Sequence, residues 1–179
     1  RDVDAAIDMT PDTENGGRGL PNYLQAAAMT PDGRRAWVPS KKDNILRGTF
    51  LDGQPLDHDN TVRSIISQLD LVANMEAAGA RHDVDNHGLP GGVCFSPLGD
   101  IAFVANQGSN VVLAIDAAPG NALSSVVSGN APQSLCFDAA NERLFVMNFL
   151  GRSVGVYDVG GLLAGTSSAM KHASSSPLP

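Results

Sequence analysis

The chain has 179 residues and a formal net charge of −7, with 12 Lys and Arg against 19 Asp and Glu, and only 17% of its residues are charged. Binding to phosphate backbones requires concentrated basic side chains, so a nucleic-acid partner is excluded, and Arg34-Arg35 and Lys41-Lys42 are too few to reverse the balance. No apolar run approaches the roughly 18 residues that span a bilayer, so no transmembrane segment is predicted, and 19 Gly with 11 Pro agree with a turn-rich, soluble, exported all-β protein.

In chain order, residues 1–18 read as the last strand of a preceding repeat followed by a loop, with Asp12-x-Glu14-Asn15-Gly16 as a turn. Gly19-Leu20-Pro21 then opens a module that returns at Gly88-Leu89-Pro90 and at Asn130-Ala131-Pro132. In the first copy, residues 26–29 and 35–38 are strands joined by Thr30-Pro31-Asp32-Gly33, where Pro presets φ and Gly accepts a positive φ at little cost. The second copy reads as strands at 92–96, 101–106, 111–116 and 122–127, with Pro97-Leu98-Gly99-Asp100 and Gln107-Gly108-Ser109-Asn110 as the first two turns. The third repeats the plan at 134–137, 143–148 and 153–158 and then degenerates. Residues 161–179, containing Ser174-Ser175-Ser176, read as a flexible linker or tail.

The last two copies share one period: Pro90 and Pro132, Phe95 and Phe137, Val104 and Val146, Asn106 and Asn148, and Asp116 and Asp158 are each 42 apart. A period near forty with four short apolar strands per unit predicts an all-β fold, a β-propeller segment of about three four-stranded blades at 19–87, 88–129 and 130–160. Val38 to Asp70 spans 32 residues where Val104 to Asp116 spans 12, so about 20 residues are inserted between the second and third strands of the first blade. They predict a rim excursion over about 41–60, with the strand resuming at Thr61, and insertions in repeat proteins gather on the face that binds. A ring needs about four blades or more, so three leave two apolar end faces that further blades, from the same chain or another subunit, are expected to cover.

Cys94 and Cys136 are the two cysteines, also 42 apart, and are expected on matching inner strands of adjacent blades, buried and unbonded to each other. Trp37, aligned with Phe103 and Phe145, is expected as a blade-core aromatic. Two loops gather acids and imidazoles: Asp57, His58 and Asp59 in one, and His82, Asp83, Asp85 and His87 in the other. They fit either turn-forming, solvated acids or a metal site, for calcium through clustered carboxylates or for a transition metal through His. Asp83-x-Asp85-x-His87-Gly88 begins like a calcium loop, but Cys94 stands where its bidentate Glu belongs. No Gly-x-Ser-x-Gly, phosphate loop, His-Glu-x-x-His or Cys-x-x-Cys-His occurs, so no catalytic residue is assigned and this segment attaches no c-type haem itself.

Phe95-Ser96-Pro97-Leu98-Gly99-Asp100, Phe103-Val104-Ala105-Asn106 and Asn110-Val111-Val112-Leu113-Ala114-Ile115-Asp116 resemble the YVTN-type β-propeller repeats of secreted bacterial proteins. Met29-Thr30-Pro31-Asp32-Gly33 and Asn60-Thr61-Val62 fit the same pattern. The resemblance implies a seven-bladed ring and a periplasmic or extracellular location. The long first blade, with Asp59-Asn60-Thr61-Val62-Arg63 and Asp83-Val84-Asp85-Asn86, is similar to a subset in which the propeller precedes a di-haem cytochrome-c-peroxidase-like domain. Haem would then belong to that further domain, and a c-type cytochrome becomes a candidate partner.

The reading that follows is a non-catalytic binding or scaffold segment that engages a protein or redox partner through rim loops. The alternative is part of a propeller enzyme, either a metal-dependent hydrolase or lactonase, or the scaffold of a di-haem peroxidase-like oxidoreductase. One propeller architecture serves many functions, so the fold does not choose between them.

Overall fold

The computed structural model describes residues 20–43, 63–84, 86–118 and 120–178. The first sheet contains β1 (Leu20–Asn22), β2 (Ala28–Met29), β3 (Arg35–Asp43), β4 (Arg63–Asp70), β5 (Met75–Glu76) and β6 (His82–Asp83). The second contains β7 (Pro90–Phe95), β8 (Ile101–Asn106), β9 (Val111–Asp116) and β10 (Ala122–Val127). The third contains β11 (Pro132–Asp138), β12 (Arg143–Asn148), β13 (Ser153–Asp158) and, after the single-turn helix α1 (Gly160–Leu163), β14 (Lys171–Pro177). Strands neighbour one another in sequence order and pair antiparallel throughout the second and third sheets.

The first sheet keeps this plan with both edge strands broken. β1 and β2 pair with opposite ends of β3, Leu20 against Asp43 and Ala28 against Trp37, so residues 23–27 interrupt one inner strand. β5 and β6 pair in the same way along β4. Lys41 and Lys42 are laddered to Ser64 and Arg63, so the predicted excursion begins no earlier than residue 44; the rest of it, 44–62, lies outside the described residues.

The sheets stack face to face, and β8 shows why the apolar runs are continuous. All six of its residues are buried, because a central strand packed on both faces has no side for water. Ile101 and Phe103 join Leu144, Val146 and Tyr157 in the core between the second and third sheets. Ala102 and Val104 join Trp37, Ile66 and Val93 in the core between the first and second. Phe103 stacks on Phe137 at 5.9 Å across the former, and Trp37 meets Phe95 edge-on at 5.3 Å in the latter.

The repeated carboxylates at the ends of β4, β9 and β13 close turns. Asp70 accepts from the Val72 and Ala73 N–H groups, Asp116 from Ala118 and Asp158 from Gly160, all at 2.8–3.0 Å. Gly99 combines a positive φ of 76° with a site where a Cβ would lie 2.8 Å from Pro31 Cδ, because the first hairpin turns of neighbouring sheets touch.

Residues 161–178 are not a linker. Leu162 and Met170 are buried, and β14 pairs along the whole of β13, from Asp158 against Lys171 to Ser153 against Pro177. Every residue of β14 is exposed, so the strand carries no apolar alternation and only its backbone ladder makes it a strand.

Cys94 and Cys136 do occupy matching positions, paired to Phe103 and Phe145, and both are free thiols. Neither is fully buried: Cys94 is half-buried, and Cys136 is exposed because it faces the open side of the third sheet. Of the two end faces expected to need a cover, only that one is open among the described residues. On the far face of the first sheet, Val38, Ser40, Ile65 and Ser67 are already buried.

Candidate functional site

Of the residues that sequence alone offers as metal ligands, Asp57, His58, Asp59 and Asp85 lie outside the described residues. His82 is turned into the core. Its ring stands 4.6 Å from that of Trp37, and its Nε2 accepts from Gln68 Nε2 at 2.6 Å. A Cβ at Gly120 would collide with the same ring, so a glycine from the second sheet seals it in. Asp83 and His87 line a small cleft of about 190 Å³ with Leu113 and Ile115, but His82 is not among its walls. Among the described residues no group of three or more His, Cys, Asp or Glu is gathered for a metal ion.

Burial lowers the pKa of His82 below its ordinary 6.5, as it does for His87. The unfolded chain therefore binds the proton more tightly than the folded one. Stability is complete above about pH 6.5 and declines as pH falls through that value toward the lower folded-state pKa. The urea midpoint is expected to fall between about pH 7 and pH 5 more steeply in the wild type than in His82→Gln. Equal slopes would show that His82 is not the group responsible.

The larger rim feature is a groove of about 590 Å³ between the first and second sheets, where their hairpin turns meet. Trp37 forms its floor, Asp32, Asp70, Asp100 and Asp116 stand around it, and Arg34 and Arg35 enter from one side. The acids are held by their own turns. Asp32 is kept below the usual carboxylate range first by the Thr30 hydroxyl and then by the Arg34 N–H, and Asp70 first by the Ala73 N–H. Asp100 accepts from Ser96 Oγ at 2.6 Å. Carboxylates already bonded in this way define the walls and leave the apolar tips to make new contacts. Leu98 is 87% exposed and Val72 72%, at the mouth of the groove. The sequence did carry a signal for this: Leu98 is an apolar residue at the tip of a Pro-Leu-Gly-Asp turn, where nothing in the blade requires one.

No family model and no curated protein matches the chain. Solved structures do. A chain of the hydrazine synthase of Kuenenia stuttgartiensis superimposes with a TM-score of 0.64 at 16% identity, over 87% of this chain and 55% of that one. The WD40 repeats of RRP9 give 0.59 at 15%, over 98% and 44%. The β-propeller domain of Cps50 (Swd1) from Myceliophteria thermophila gives 0.53 at 12%, over 89% and 60%.

This chain is a β-propeller segment.

At such identities the likeness establishes the fold and nothing finer. Each sheet is therefore a blade, β2, β7 and β11 are inner strands, and β14 is the outer strand of the third blade. The segment spans about half the length of the propeller chains it matches. Among the described residues no helix is long and apolar enough to cross a membrane.

Proposed function

We propose that this propeller segment is a non-catalytic binding or scaffold module of an exported bacterial protein, located in the periplasm or outside the cell, which engages a protein partner through its hairpin rim. One observation carries the reading: Leu98 and Val72 stand in solvent at the mouth of a Trp37-floored groove whose carboxylates are already bonded to their own turns. Exposed apolar tips beside a shaped groove with flanking arginines are the composition of an interface core with a polar rim. The YVTN-type resemblance favours a redox protein such as a c-type cytochrome as that partner. On this reading any haem resides outside the segment.

A photo-crosslinking amino acid placed at position 98 in the native host is expected to capture one recurrent protein. The same probe at Ser174, on the exposed outer strand of the third blade, is expected not to capture it, and Arg34→Glu to weaken capture at 98. Equal recovery from positions 98 and 174 would remove the rim as the binding surface.

A further inference from the structure

The inner strands are interrupted at one level in every blade. β7 shifts register between Pro90 and Gly92, β11 shifts between Pro132 and Ser134, and in the first blade residues 23–27 separate β1 from β2. A bulge leaves a residue outside the ladder and re-aims its neighbours, and bulges recur beside binding sites. Here the three interruptions open into a single cleft of about 690 Å³ on the inner-strand side, away from the rim groove.

Among the described residues its walls are uncharged. Gln25, Gln133 and Ser134 supply the polar side chains, and Leu24, Leu135 and Met147 the apolar ones. Gly91 and Gly92 hold the walls close: a Cβ at Gly92 would lie 2.7 Å from the Gln133 carbonyl, and one at Gly91 2.9 Å from Gln25 Oε1. At the mouth stands Tyr23, with φ at 61°, a backbone region that bulky residues avoid, stabilised by its N–H donating to Asn22 Oδ1 at 2.7 Å. In this unfavourable conformation Tyr23 is 56% exposed, with Lys41 Nζ 4.9 Å from its ring centroid.

We propose that this cleft binds a neutral, hydroxyl-rich ligand, a short saccharide. Lys41 stands at the mouth over the Tyr23 ring, and a charged ligand reaching past it to Gln25 and Gln133 would be desolvated beside uncharged side chains. Carboxamides offer a donor and an acceptor side by side, which suits vicinal hydroxyls, while an exposed aromatic ring and aliphatic walls suit the C–H face of a sugar. The volume falls within the range of about 300–1,000 Å³ common to small-molecule pockets.

The test is a titration of the full-length, ¹⁵N-labelled protein with maltotriose, cellotriose and chitotriose at millimolar concentration. At least one is expected to cause saturable shifts at the Gly91, Gly92 and Ser134 amides. Gln25→Ala combined with Gln133→Ala is expected to weaken binding about tenfold or more, and Leu98→Asp on the rim to leave it unchanged. The proposal is overturned if none of the three sugars shifts those amides, if the double variant binds as well as the wild type, or if an extended peptide occupies the cleft instead. Should the double variant not fold, the wild-type shifts decide the matter alone.

Discussion

Trp37→Ala is expected to destabilise the protein by about 3–5 kcal/mol, the loss typical of truncating a large buried aromatic. Trp37 is 1% exposed, lies between the His82 ring at 4.6 Å and the Phe95 ring at 5.3 Å, and joins the first blade to the second. Its counterparts by register, Phe103 and Phe145, show that the position accepts a smaller ring, so Trp37→Phe is expected to cost well under half as much. Because Trp37 also floors the rim groove, the alanine variant should lose partner capture along with stability. Urea unfolding of both variants measures the difference, and a loss below about 1 kcal/mol for Trp37→Ala would show that this core does not tie the blades together.

Residues 1–179 expressed by themselves are expected to self-associate through the open face of the third blade. In the second blade, Phe103, Ala105, Val112 and Ala114 are completely buried by the third blade. Their counterparts one period on, Phe145, Met147, Val154 and Val156, are only half-buried, and among the described residues no sheet packs beyond them. Apolar surface left in water forfeits about 25 cal/mol for each Å², so the face should be covered by a blade-like sheet or by another copy. Phe145→Lys with Met147→Lys should reduce association in sedimentation experiments.

Alkylation gives an independent readout of the same face. Burial first, and the nearby Cys136 second, push the Cys94 thiol up to about 12, so it should stay unreactive until unfolding. Cys136 is exposed on that face and should react readily when the segment is dilute enough to be monomeric, then become protected once another copy or a further blade covers the face. A monodisperse, cooperatively folding monomer of residues 1–179 would refute this account.

Much of the fold was legible in sequence because its determinants are local. Alternation, Pro and Gly turns and the period of 42 located the four strands of the second blade and the matched cysteines, since each depends on residues within one hairpin or one repeat. The repeat also marked Asp116 and Asp158 as equivalent positions, and each closes its own turn, as Asp70 does in the first blade. Long-range pairing decided the rest. The serine-rich segment 171–177 became an outer strand because β13 had a free edge, which backbone hydrogen bonds satisfy whatever the side chains are. The His82 ring turned inward because packing against Trp37, Gln68 and Gly120 outweighed the solvation of a loop imidazole. The rim groove and the inner cleft are each built from turns or bulges of different blades. A repeat pattern records what each blade contains, but the space between blades exists only once they are stacked.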